Sequence, residues 1–227
     1  MIAFLFPGQG SQAVGMGRSF YEASAGAKAI FEEANDALGF DLAKLAFGGP
    51  EADLALTANT QPAVLTASVA GAAVCAERGL TPGLAAGHSL GEYSALVAAG
   101  ALRFADAVRV VRKRGEFMQE AVPVGTGAMA AIMGLELPAV EAICREAAQR
   151  EVVDVANINS SGQIVVAGHK SAVERAVALA GKKSVMLPVS APFHSSLMVP
   201  AAERLAAELG AVPVSDPTFP VVRNVDA

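Results

Sequence analysis

The sequence predicts an α/β fold in which a small mixed unit is inserted into a core with a parallel sheet. Residues 2–6 form a short apolar run that stops at Pro7-Gly8, which suits a buried strand that leads into a loop. Residues 83–88 form a second such run, and a helical pattern begins directly after it. Between residues 128 and 189 the order strand–helix–strand–strand–helix–strand is typical of ferredoxin-like units. We therefore predict an α/β-hydrolase-like core with a parallel sheet and an inserted ferredoxin-like (βαββαβ) subdomain.

Helical periodicity and stop signals place the other elements. In the first half we predict helices over residues 25–38 and 60–78, which end at Gly39 and Gly79, and a helix over 104–121. In the second half we predict, in order, a strand at 128–135, a helix at 138–150, strands at 152–158 and 163–167, a helix at 171–180, a strand at 185–189, a helix at 197–209 and a strand at 219–222. We assign residues 1–123 and 190–227 to the large α/β domain and residues 124–189 to the subdomain.

Composition excludes several classes of protein. The 227 residues are 53% hydrophobic and 17% charged, which is enough for a sizeable core. A net charge of −5 and the lack of Trp argue against nucleic acid as a partner. The two cysteines form no CxxC motif or Cys/His cluster, which indicates free thiols and no metal site. No segment reaches the roughly 20 uninterrupted apolar residues of a membrane helix, and the apolar N-terminus is too short for a signal peptide. We expect a soluble cytoplasmic protein that binds no membrane.

A candidate nucleophile lies at the second strand-to-helix junction. Gly87-His88-Ser89-Leu90-Gly91 is a G-x-S-x-G sequence between an apolar strand and a helix. Such a turn holds its serine in a strained conformation, and the two glycines remove side chains that would collide. The free N–H groups and the dipole at the helix N-terminus favour a developing oxyanion. We therefore predict that Ser89 is a nucleophile, with the Leu90 N–H as an oxyanion-hole donor. The alternative is a tight turn in which the serine only caps the helix.

The sequence offers three histidines as a base for Ser89. His88 adjoins the nucleophile, so a packing or orienting role suits it better, and His169 follows a predicted strand of the inserted unit. His194 lies in an irregular loop just before a helix, late in the chain. A serine early and a histidine late is the chain order of enzymes with this turn, so we predict His194 as the base. Asp106 and Asp154 lie between them, but nothing in the sequence ties either to His194.

Four motifs in the same order resemble a known family along the whole chain. They are Phe6-Pro7-Gly8-Gln9-Gly10-Ser11-Gln12, Gly87-His88-Ser89-Leu90-Gly91-Glu92-Tyr93-Ser94-Ala95-Leu96, Arg114-Gly115 with Met118-Gln119, and Pro192-Phe193-His194-Ser195. The sequence resembles the malonyl-CoA:acyl-carrier-protein transacylases of bacterial type II fatty acid synthesis. Four ordered motifs are far more specific than any single one.

The resemblance implies a reaction and a role for each motif. Malonyl would pass from coenzyme A to Ser89 and then to the phosphopantetheine thiol of acyl carrier protein, with His194 as base and acid. Gln9 would supply the second oxyanion-hole N–H, and Arg114 would hold the malonyl carboxylate through its planar fork. Taken alone, Arg114 is better explained as a solvated helix charge beside Arg112 and Lys113, and only the motif context favours the binding role. The resemblance also places these residues near the substrate: Gln61, His88, Met118, Asn157, Asn159 and Phe193.

The resemblance further implies that no cofactor is needed, because malonyl-CoA and the carrier are both substrates, and we expect a monomer. Arg109, Arg112 and Lys113 lie at helical spacing and suit either an acidic carrier or a solvated helix face. Family members continue past the last residue of this sequence, and we expect that part to hold further core elements and the group that orients His194. An esterase or thioesterase with the same turn, and a non-catalytic carrier-binding remnant, are the alternative functions.

Overall fold

The computed structural model describes residues 1–123, 125–189 and 191–226, and it has the predicted mixed α/β architecture. The chain divides into two compact units, a larger one of Met1–Glu116 with Ala207–Ala227 and a smaller one of Phe117–Ala206. The domain limits that we predicted at Val124, Ser190 and Ala227 lie outside the described residues, so that exact division stays a prediction.

The elements follow one another in the order below. In the first half they are β1 (Ala3–Phe6), α1 (Arg18–Ala23), α2 (Ala25–Leu38), α3 (Leu42–Gly48), α4 (Glu51–Leu54), α5 (Thr57–Glu77), β2 (Leu84–Gly87), α6 (Gly91–Ala98) and α7 (Phe104–Glu120). In the second half they are β3 (Gly127–Met133), α8 (Leu137–Ala148), β4 (Val153–Ser160), β5 (Gln163–His169), α9 (Lys170–Ala180), β6 (Ser184–Met186), α10 (Val199–Gly210) and β7 (Val221–Val222).

A parallel sheet of three strands organises the larger unit, in the order β1-β2-β7. Phe6 pairs with Gly87 across β1 and β2, and Ala86 pairs with Val222 across β2 and β7. All three strands therefore end at the same edge of the sheet. Polar groups that follow parallel strands meet at that edge, which is where open α/β sheets bind their ligands.

The core of the larger unit forms where α5 packs among other helices. Leu65 of α5, Leu90 at the start of α6, and Val108 and Val111 of α7 are buried in one cluster. The interior Pro62 of α5 has no N–H for the carbonyl of Ala58, four residues earlier. Arg112 Nη1 donates to that carbonyl instead, at 3.0 Å. This hydrogen bond ties α7 to the first turn of α5.

The smaller unit contains an antiparallel sheet of four strands in the order β4-β5-β3-β6. Alternate residues of a strand point to opposite faces. Ala130 and Ile132 accordingly join a cluster that includes residues of α8 and α9, whereas Met129 and Ala131 join a cluster that includes the loop before α10. The sheet is thus apolar on both faces.

Three features differ from the sequence prediction. The short helices α1, α3 and α4 were not predicted, since segments of six, seven and four residues contain too little periodicity to detect. The helix predicted at 60–78 begins at Thr57, ahead of Pro62. The strands predicted at 185–189 and 219–222 shrink to three and two residues, because apolar runs mark strands without marking where pairing stops.

Candidate active site

The turn after β2 has the conformation that the G-x-S-x-G sequence predicts. Ser89 is half-buried and has a φ of 51°, a value that non-glycine residues seldom adopt. A Cβ on Gly87 would lie 1.9 Å from the backbone carbon of Gly91, and one on Gly91 would lie 2.2 Å from the Phe6 carbonyl oxygen. No other residue type fits either position. The backbone strain at Ser89 is therefore imposed by its surroundings, which is common at reactive residues.

The end of β1 supports this turn from one side. The His88 N–H donates to the Phe6 carbonyl at 3.0 Å, and the His88 carbonyl accepts from the Gly91 N–H at 2.9 Å. A Cβ on Gly8 would lie 2.5 Å from the His88 carbonyl oxygen, so only glycine lets the loop after β1 approach the turn this closely. Leu90 is buried and precedes the first residue of α6.

Arg114 of α7 reaches the candidate nucleophile. Its Nη2 donates to Ser89 Oγ at 3.0 Å, and its Nη1 donates to Gln61 Oε1 at 2.8 Å. Gln61 is fully buried in α5. Among the described residues, no Asp or Glu forms an ion pair with Arg114. The structure thus joins three of the predicted site residues and places beside Ser89 a cation that forms no ion pair with a carboxylate within the described part of the chain.

Burial and two neighbours act on this cation. Desolvation lowers the pKa of Arg114, while Tyr93 and Glu92 act in the opposite direction. The guanidinium carbon lies 5.7 Å from the centre of the Tyr93 ring. Burial raises the pKa of Tyr93, and the charge of Arg114 opposes that shift. Burial thus disfavours the charged form of both groups, and the interaction between Arg114 and Tyr93 opposes that effect.

Gln9 lies in the loop after β1, and its side chain is hydrogen-bonded to the first residue of α5. Its Nε2 donates to Thr57 Oγ1 at 3.1 Å. Gln9 follows the end of β1 as Ser89 follows the end of β2, so the parallel register brings the two loops to one edge of the sheet.

Asn224 is a site residue that the sequence prediction missed. Its Oδ1 accepts from the Ser89 N–H at 2.6 Å, its Nδ2 donates to the Gly87 carbonyl at 2.6 Å, and its own N–H donates to Glu92 Oε2 at 3.0 Å. Asn224 comes two residues after β7, which pairs with β2. A polar residue two positions after a predicted strand was the signal that could have found it.

The smaller unit holds five other predicted site residues, which are Met118, Asn157, Asn159, Phe193 and His194. Met118 and Phe193 are buried in one apolar cluster. Asn157 and Asn159 both lie on β4. Asn159 is exposed, and its Nδ2 donates to Gln163 Oε1 at 3.0 Å. His194 is exposed with a φ of 61°.

Asp154 anchors the loop that contains His194. Its Oδ2 accepts from the Ser196 N–H at 2.7 Å, two residues beyond the histidine. The other acidic candidate, Asp106, forms ion pairs with Arg103, which directly precedes α7, and with Arg109 on α7. Asp154 is therefore the acidic candidate with a structural link to the His194 loop.

The basic residues on α7 all have acceptors within the larger unit. Arg109 Nε donates to the Ala37 carbonyl, Arg112 forms an ion pair with Glu116, and Lys113 forms one with Glu208. These contacts favour a locally bonded helix face over a free cationic patch.

The described residues contain neither a membrane-spanning helix nor a cluster of metal ligands. Over residues 1–123, 125–189 and 191–226, no helix is long and apolar enough to cross a membrane. The same described residues contain no group of three or more His, Cys, Asp or Glu side chains placed to hold a metal ion.

A strained serine between a parallel strand and a helix is the arrangement typical of the nucleophile elbow in α/β enzymes. Comparison with known proteins identifies the family. The model of the acyl transferase domain matches residues 3–226, and the chain therefore belongs to the acyl transferase domain family. It is an acyltransferase enzyme.

Individual relatives agree with the family assignment. The chain is 54% identical over 229 residues to the malonyl CoA-acyl carrier protein transacylase of Escherichia coli K12, with 99% of the chain and 74% of the relative aligned. It is 52% identical over 231 residues to the protein of that name from Bacillus subtilis 168, with 100% and 73% aligned. The chain thus spans about three quarters of these relatives.

Solved structures show the same fold. The malonyl CoA-acyl carrier protein transacylase of Coxiella burnetii has a TM-score of 0.96 and 48% identity, covering 99% of this chain and 72% of that one. A chain from a solved complex, described as a type II PKS acyl-carrier protein with its malonyl-transacylase, has a TM-score of 0.94 and 49% identity, covering 98% and 74%.

Proposed function

We propose that this protein transfers a malonyl group from malonyl-CoA to the phosphopantetheine thiol of an acyl carrier protein, through a malonyl ester on Ser89, in fatty acid biosynthesis. The relatives at about 50% identity have names that state this activity. A structural neighbour was solved with an acyl carrier protein, which supports a carrier as the partner.

The observation that carries the proposal is the contact between Arg114 and Ser89. One terminal nitrogen of the Arg114 guanidinium donates to Ser89 Oγ and the other donates to Gln61 Oε1. An acyl group on Ser89 therefore begins within hydrogen-bond distance of a guanidinium that has no carboxylate partner in the described part of the chain. A free carboxylate at the far end of the acyl group satisfies this cation with two charge-assisted hydrogen bonds. Malonyl has such a carboxylate and acetyl has none.

Loading of the enzyme uses His194 as the base. His194 takes the proton of Ser89 as Oγ attacks the thioester carbonyl, and the N–H groups of Leu90 and Gln9 bind the oxyanion of the tetrahedral intermediate. The carbon–sulfur bond then breaks, coenzyme A leaves, and its sulfur takes the proton from His194. The product of this half is malonyl-Ser89.

Unloading runs the same steps in reverse with another thiol. His194 takes the proton of the phosphopantetheine thiol, the sulfur attacks the ester carbonyl, and Ser89 leaves with the proton. Acyl exchange between oxygen and sulfur involves no net redox change, so the proposal needs no cofactor. In the smaller unit, Phe193, Met118 and Asn159 are proposed to line the acyl and pantetheine path, and His88 to support the turn.

The proposal also includes a ferredoxin-like subdomain and a hydrolase-like core. The sheet order β4-β5-β3-β6, with βαββαβ connectivity, supports a ferredoxin-like subdomain. The parallel sheet with a strained serine after a strand supports a hydrolase-like core for the rest. We extend the proposal to a monomer that acts in the cytoplasm, with residues 124–189 as the subdomain and the flanking residues as the catalytic domain.

Intact-mass measurement after incubation with malonyl-CoA tests the function. We expect one malonyl adduct on Ser89 that persists in water and is discharged by the thiol of a phosphopantetheinyl carrier, and Ser89→Ala should form none. Rapid loss of the adduct to water would instead identify an esterase or thioesterase. Absence of any adduct on the unsubstituted chain would overturn transfer and leave a carrier-binding remnant.

A further inference from the structure

Asn224 connects two backbone positions around the nucleophile through its side chain. Its amide oxygen accepts from the Ser89 N–H and its amide nitrogen donates to the Gly87 carbonyl, each at 2.6 Å. The two ends of the amide meet opposite partners, so the hydrogen bonds themselves determine its orientation. The side chain thus bridges the residue that ends β2 and the nucleophile two positions later.

The bridge lies where the backbone is strained. Ser89 has a φ of 51°, and a serine in this region costs about 1–3 kcal/mol and persists only where its surroundings enforce it. The hydrogen bond to the Ser89 N–H links the strained residue directly to β7. Because β7 pairs with β2, the bridge is anchored in the same sheet that ends at the turn.

Glu92 supports the bridge from the other side. Its Oε2 accepts from the Asn224 N–H at 3.0 Å, and Glu92 lies in the first turn of α6, where the helix dipole favours a negative charge. The backbone and the side chain of Asn224 are therefore both held by the strand–turn–helix segment that carries Ser89. Neither contact uses the Ser89 hydroxyl, which stays directed at Arg114.

We propose that Asn224 is a positioning residue for acyl transfer, which holds Ser89 in its strained conformation through hydrogen bonds to Ser89 N–H and Gly87 C=O. The proposal rests on the proposed function for the identity of the acyl group. It adds that the rate of Ser89 acylation depends on a residue that touches only the backbone of the turn. Loss of the bridge lets Ser89 relax from its positive φ and reduces the fraction of molecules in which its hydroxyl is correctly placed.

Single-turnover acylation by malonyl-CoA tests this role in the 227-residue chain. We expect Asn224→Ala to lower the limiting acylation rate by on the order of ten- to a hundredfold, with the half-saturating concentration of malonyl-CoA unchanged. Asn224→Asp should lose at least as much, because it keeps the acceptor for Ser89 but turns a second oxygen toward the Gly87 carbonyl.

Asn35 offers a matched control. Its side chain also bridges two groups, accepting from the Ala43 N–H at 3.1 Å and donating to Asp41 at 3.3 Å, far along the chain from the turn. Asn35→Ala should match Asn224→Ala in its loss of thermal stability but keep the acylation rate of the unsubstituted chain. An equal loss of rate in both variants would mean a general loss of stability and would overturn the positioning role.

A serine-directed fluorophosphonate probe separates this proposal from the proposed function. If the unsubstituted chain is labelled at Ser89 but not malonylated, and Asn224→Ala slows the labelling, the positioning role holds while malonyl transfer fails. If malonylation proceeds at the same rate with Asn224→Ala or Asn224→Asp, the positioning role is overturned while transfer stands. If neither reagent modifies Ser89, both proposals fail.

Discussion

Arg114→Ala removes the guanidinium that contacts Ser89 Oγ at 3.0 Å, and its consequence depends on which acyl group is loaded. A malonyl group loses both hydrogen bonds between its carboxylate and the guanidinium. An acetyl group has no carboxylate and therefore loses neither. The substitution also removes the donor to the buried Gln61 Oε1, but that cost applies to both acyl groups. The ratio of malonyl to acetyl loading therefore isolates the carboxylate contact.

The structure sets the size of the expected change. A hydrogen bond to a charged group contributes about 1.5–3 kcal/mol, so two of them contribute about 3 kcal/mol or more. That energy corresponds to a loss of roughly 100-fold in the malonyl-to-acetyl ratio of kcat/KM. Arg114→Lys should give an intermediate value, because an ammonium keeps the charge but lacks the planar fork.

Rates of Ser89 acylation by malonyl-CoA and acetyl-CoA, followed by intact mass, provide the assay. Arg109→Ala is the matched control, since it removes the same charge from the same helix but its guanidinium binds the Ala37 carbonyl and Asp106. We expect an unchanged ratio for that control. Equal losses of malonyl and acetyl loading in Arg114→Ala would refute the carboxylate contact.

Two further predictions follow from the smaller unit. Asp154→Ala should slow acylation, because it releases the Ser196 N–H and loosens the His194 loop. Asp154→Asn keeps an acceptor oxygen and should retain most of the acylation rate. Equal losses of rate in the two variants would contradict an anchoring role. Burial raises the pKa of Cys144 to about 11, so little of this thiol is in the reactive thiolate form at pH 8. Iodoacetamide at pH 8 should therefore alkylate the half-exposed Cys75 and leave Cys144 unmodified until the protein unfolds. Modification of Cys144 in the folded protein, detected by peptide mass, would contradict this.

Much of the fold followed from local pattern. The strands at 2–6 and 83–88 and the long helices α2, α5 and α7 were predicted within a few residues, because each combines a clear period with a stop signal. The start of α5 was placed too late, at residue 60. Pro62 suggests a helix that begins close to it, because proline leaves the Ala58 carbonyl without its usual N–H donor. In the structure Arg112, 54 residues away in the chain, donates to that carbonyl, so the helix extends past Pro62 toward its N-terminus.

The sequence alone predicted that Ser89 sits on a strained turn, because the collision that Gly87 avoids, with Gly91, lies within the turn itself. It also selected Arg114, although only through the resemblance, since its neighbours Arg112 and Lys113 are equally basic. The tertiary structure decided which of these cations reaches Ser89. It alone revealed Asn224, which is 135 residues from Ser89 in the chain and is brought to the turn by the pairing of β2 with β7. Local sequence specifies turns and helices, whereas contacts across a parallel sheet depend on strand order, which no short segment encodes.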